Sequence, residues 1–148
     1  MQLIRWLHLL GVVVWVGGMF FAHFALRPAA QELLEPPLRL PLMAATMGRF
    51  FRWAALSVAV ILATGIAWIL AAGGFGMVGV YTHVMFVLGI VMALVFGYIW
   101  FALYPRLTVA IAAKNFPEAG AHLARIRQLV TVNLVLGLVT ITVAVLGK

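Results

Sequence analysis

The chain has 148 residues, 66% of them hydrophobic, and its ten Lys or Arg and three Glu leave a net charge of +7. Soluble domains are about 45–50% apolar and about 25% charged, so this composition excludes a soluble enzyme and a disordered tail. Ten cations scattered among apolar runs make no phosphate-tracking stripe, which argues against nucleic acid as a partner. With no Cys, disulfides, thiolate metal sites and thiol nucleophiles are excluded as well.

Three runs lack Asp, Glu, Lys and Arg: residues 6–26, 53–105 and 128–147. A membrane helix needs about 20 apolar residues. The middle run is too long for one crossing and is interrupted by Gly73-Gly74-Phe75-Gly76, with Gly79 just after. Four transmembrane helices are therefore expected, at about 3–26, 50–72, 80–104 and 127–147. The expected fold is all-α, a single-domain, integral membrane up-down four-helix bundle over residues 1–148. Arg5 before an apolar run also fits a signal peptide. The length of the run, His8, Trp15 and the lack of an A-x-A site favour a retained span.

Between the first two spans, residues 28–37 (PAAQELLEPP) predict a short helix closed by Pro36-Pro37. Pro41 then suits the first turn of a helix running into span two. Pro117-Glu118 likewise opens a helix that runs into span four. Arg27, Arg39, Arg49, Arg52, Arg106, Lys114, Arg125 and Arg127 flank the two longer loops, whereas Arg5 and Lys148 flank the other side. The positive-inside rule then predicts N-out/C-out topology in a bacterial inner membrane. The lipid bilayer is the expected partner, and a homodimer is compatible with so small a bundle.

No acidic residue lies in any span, so a carboxylate proton relay is not expected. The histidines are left as the main carriers of chemistry. His8 and His83 lie at similar depth in spans one and three, which are diagonal in an up-down bundle. That suits bis-histidine ligation of haem b. Gly11, Trp15 and Gly18 follow His8 along one face, and the two glycines would admit a flat group. The function expected first is a haem-binding electron-transfer protein or membrane oxidoreductase with a quinone or other redox partner. A second, inner haem would need His23 with Tyr98 or His122. Copper is the other ligand chemistry, because Cu(I) favours thioether and imidazole donors; Met77, His83 and Met85 cluster at the outer mouth, with His8 near. An accessory structural membrane protein without cofactor is the third reading.

The stretch WLHLLGVVVWVGGMFFAHFALRP in span one resembles the opening of the CopD-like membrane proteins, and RQLVTVNLVLGL in span four is similar to their stand-alone members. The span-one motif also resembles HemJ, the membrane protoporphyrinogen oxidase. His8 is the matching position in both. The first resemblance implies copper uptake or resistance; the second implies haem-linked redox chemistry.

Overall fold

In a computed structural model, residues 1–147 are described, and Lys148, counted above in the charge balance, lies outside them. The described residues form four long helices: α1 Gln2–Leu33, α2 Pro36–Ala71, α3 Val80–Ala112 and α4 Phe116–Leu146. Each is long and apolar enough to cross a membrane, and no strand occurs among the described residues. The protein is a multi-pass membrane protein whose apolar outer surface faces lipid. Leu9, Val13, Phe20, Leu56, Leu94 and Val135 are among the large side chains on that surface. In water such a surface would be unstable; in a bilayer it is the solvated face.

α1 packs mainly on α2, and α3 mainly on α4. α4 joins the two hairpins by touching both α1 and α2, while α1 and α3 make little contact. Spans one and three therefore occupy the long diagonal. The start of α1, the end of α2, the start of α3 and the end of α4 meet at one end of the bundle, where Ile4, Trp68, Thr82 and Thr140 line one cavity. This is the terminal end. The opposite end, with the two longer loops, is the loop end.

The helices outrun the expected spans at the loop end. α2 begins at Pro36, not near Pro41, which lies inside it. Pro36 is tolerated there because the first helical N–H groups have no intrahelical acceptor. α3 continues to Ala112, beyond the expected end at 104. α4 opens as expected: Asn115 caps it, accepting from the Glu118 N–H at 3.4 Å while its Nδ2 donates to Glu118 Oε2 at 2.7 Å.

The two continuations share one device. In α1 the turn Ala22–Leu26 is a π-turn, with the Arg27 N–H bonded to the Ala22 carbonyl. In α3 the turn Ile99–Leu103 is also a π-turn, with the Tyr104 N–H bonded to the Ile99 carbonyl. Each is followed two residues later by proline, Pro28 and Pro105. Proline lacks an N–H and its ring crowds the carbonyl four residues back. The wider turn relieves that crowding, so the helix proceeds.

The core lies at mid-bundle. Trp15 and Met19 of α1, Phe51 of α2, Met92 and Phe96 of α3 and Leu134 of α4 are all buried. The Phe96 ring meets Trp15 edge-on at 6.1 Å and Phe51 at 5.7 Å, a favoured aromatic geometry. This layer separates two cavities, one toward each end.

Candidate functional site

The terminal cavity has a volume of about 520 Å³ and draws its walls from all four helices. Most of the lining is apolar. His8, Thr64, Thr82, Thr140 and Arg5 supply the polar groups, and Met85 and Met92 supply two thioethers. At the mouth, the Arg5 guanidinium lies over the Trp68 ring at 4.5 Å, a cation–π contact.

His8 is held in a defined way. Its Nδ1 lies 2.8 Å from Thr64 Oγ1 across the α1–α2 interface. The Thr64 hydroxyl has one proton and donates it to the backbone of its own helix, 2.6 Å from the Val60 carbonyl. In the tautomer with its proton on Nδ1, His8 donates to Thr64 and Nε2 carries the lone pair, the state a metal-binding histidine requires. The same arrangement recurs at the loop end. His23 Nδ1 lies 3.3 Å from Thr131 Oγ1, whose hydroxyl donates to the Arg127 carbonyl.

His83 does not join His8. It turns back on its own helix, with Nδ1 3.1 Å from the Gly79 carbonyl and its ring 5.8 Å from that of Phe75. The neighbouring stripe of α3 lines the cavity instead, through Thr82, Met85, Phe86, Gly89 and Met92. Equal depth was not sufficient, because rotation about the helix axis decides what a side chain faces. Of the copper set, Met85 lines the cavity, whereas Met77 is 75% exposed on the connecting turn.

The glycines expected to seat a flat group serve helix packing. A Cβ on Gly11 would come within 2.9 Å of Ile61 and 3.2 Å of the Ser57 carbonyl. One on Gly18 would collide with the Phe50 ring. Trp15 does line the terminal cavity. Of the inner set, only His23 lines the loop cavity. Tyr98 is exposed, and His122 pairs with Glu118 at 3.4 Å. Thr64 and Met92 are the residues of the site that the sequence did not single out.

Asn133 is buried at mid-bundle in α4, with its Nδ2 donating to the Met92 carbonyl at 3.0 Å. Its Oδ1 has no hydrogen-bond partner. No group of three or more His, Cys, Asp or Glu is arranged to hold a metal ion among the described residues. The soft donors that line the terminal cavity are the His8 imidazole and the Met85 and Met92 thioethers.

The profile of the copper resistance protein D family matches residues 44–146, from the first quarter of α2 to the last residue of α4. The chain belongs to the CopD family. In this CopD protein the match includes Thr64, Met85, Met92 and Asn133, while α1 and His8 lie before it. Among curated proteins and among solved structures nothing matches the chain.

Proposed function

We propose that this CopD protein handles copper, taking Cu(I) as its cargo in the terminal cavity. The observation that carries the reading is that His8, hydrogen-bonded to Thr64, lines a chamber that Met85 and Met92 also line. Soft nitrogen and sulfur donors select Cu(I) over harder divalent ions. The family's name supports the same chemistry. The charge distribution supports an orientation with this cavity at the outer face of a bacterial inner membrane, both termini outside.

The test is anaerobic Cu(I) titration of the detergent-purified protein against a chromogenic chelator. Wild type is expected to withdraw copper from the chelator. His8→Ala and Met85→Ala are expected to lose that capacity. Equal retention by all three would overturn the reading.

A second reading has a specific observation in its favour. The same cavity is large and mostly apolar, which also suits a haem b with His8 as one axial ligand. His8 would hold the iron and Trp15 would pack against the macrocycle, with His83 requiring a different rotamer to supply the second ligand. Haem would supply one-electron chemistry, with a quinone or another redox partner. The visible spectrum decides: a Soret band that shifts on reduction supports haem. A colourless protein that binds neither haem nor copper would leave an accessory membrane role.

A further inference from the structure

The loop cavity, of about 310 Å³, is lined by α1, α2 and α4. Three arginines line it from three helices: Arg27 of α1, Arg39 of α2 and Arg127 of α4. Arg27 and Arg127 are close enough for their like charges to repel. No carboxylate lines the cavity. Glu118 is engaged with Asn115 and His122, and no arginine makes a salt bridge among the described residues. Like charges gathered in a half-buried site are unfavourable until an anion completes them.

The remainder of the cavity is chiefly hydrocarbon, from Leu26, Met43, Phe50 and Val130 among others. The ligand must therefore be anionic at one end and apolar along its length. Two of the arginines, Arg27 and Arg127, also sit where the apolar runs end. Arg27 directly follows the charge-free run 6–26, and Arg127 directly precedes the run 128–147. That is the depth of lipid phosphates.

We propose that the loop cavity is a binding site for an anionic phospholipid, with the phosphate on Arg27, Arg39 and Arg127 and an acyl chain along the apolar wall. The guanidinium fork matches the phosphate oxygens in a way an ammonium does not. The site is independent of the copper reading, since it shares no lining residue with the terminal cavity.

The test uses delipidated full-length protein, with phosphatidylglycerol and phosphatidylcholine competing in mixed micelles and bound lipid counted by native mass spectrometry. Wild type is expected to prefer phosphatidylglycerol. Each of Arg27→Gln, Arg39→Gln and Arg127→Gln is expected to reduce that preference by about fivefold. Arg106→Gln, a boundary arginine outside the cavity, is expected to leave it unchanged. Arg127→Lys serves as a folded control, expected to keep the charge and lose part of the preference. No preference in wild type, or an equal loss in Arg106→Gln, would overturn the proposal. Displacement of the lipid by inorganic phosphate at matched concentration would also overturn it, by identifying a soluble anion as the ligand.

Discussion

Thr64 Oγ1 lies 2.8 Å from Nδ1 of His8 and 2.6 Å from the Val60 carbonyl of α2. Removing the hydroxyl frees the imidazole to rotate and to exchange tautomers. Second-shell partners of this kind are worth about 10–100-fold in metal affinity. Thr64→Val is therefore expected to weaken Cu(I) binding by about that factor, and Thr64→Ser to retain most of it. Chelator competition on the two purified variants checks this. Equal affinity in Thr64→Val and wild type would remove Thr64 from the site.

The glycines separate by what surrounds them. A Cβ on Gly18 would strike Phe50, and one on Gly48 would strike the Tyr104 hydroxyl, which donates to the Ala44 carbonyl at 3.0 Å. A Cβ on Gly17 meets nothing within 4 Å. Overpacking in a close-packed interior costs about 1–3 kcal/mol. Gly18→Ala and Gly48→Ala should lower the melting temperature in detergent, while Gly17→Ala should match or exceed wild type because alanine favours a helix.

Asn133 links α4 to α3 through one hydrogen bond to a carbonyl that belongs to a helix. Interhelical hydrogen bonds in membranes average about 0.6 kcal/mol. Asn133→Leu is thus expected to fold with a loss of no more than about 1 kcal/mol. Asn133→Asp places a carboxylate in the same dry layer and should be far less stable. Comparative unfolding in denaturing detergent reads both; a large loss in Asn133→Leu would mean the orphan Oδ1 has an essential partner.

Orientation has a direct readout. A periplasm-active phosphatase fused after residue 148 is expected to be active, and the same enzyme inserted at 113–115 to be silent. The opposite pattern would exchange the two faces of the membrane and place the terminal cavity inside.

The four helices were legible because lipid imposes one simple demand, a long apolar run without charge. The loop-end extensions were legible only in part. Pro117 and Glu118 announced the start of α4, but the charge-free runs set the ends of the first and third spans at about 26 and 104. The π-turns before Pro28 and Pro105 depend on backbone hydrogen bonding that no residue type advertises, so the matching construction of the two hairpins was hidden as well. Of the two histidines expected together, His8 lines the terminal cavity and His83 turns back on its own helix. Depth follows from counting residues, whereas the face a residue presents depends on neighbouring helices. Thr64 was visible only as one polar residue in a span; its bond to His8 joins residues 56 apart in the chain. Arg27, Arg39 and Arg127 were read as topology signals, and only packing showed that they share a cavity.

The two cavities differ in charge, and the difference has an electrical consequence. Nineteen residues separate His8 from Arg27 on α1, roughly 28 Å at about 1.5 Å per residue. A monovalent cation beside His8 would then be opposed by about 0.6 kcal/mol from Arg27, at an effective dielectric of about 20. The opposition grows as the cation moves inward. A singly charged phosphate seated on the three guanidiniums would remove about a third of their combined opposition, and linkage requires the reverse effect of equal size. Charge held at one end of the bundle thus bears on any cation at the other through the field alone, without a contact between the two cavities.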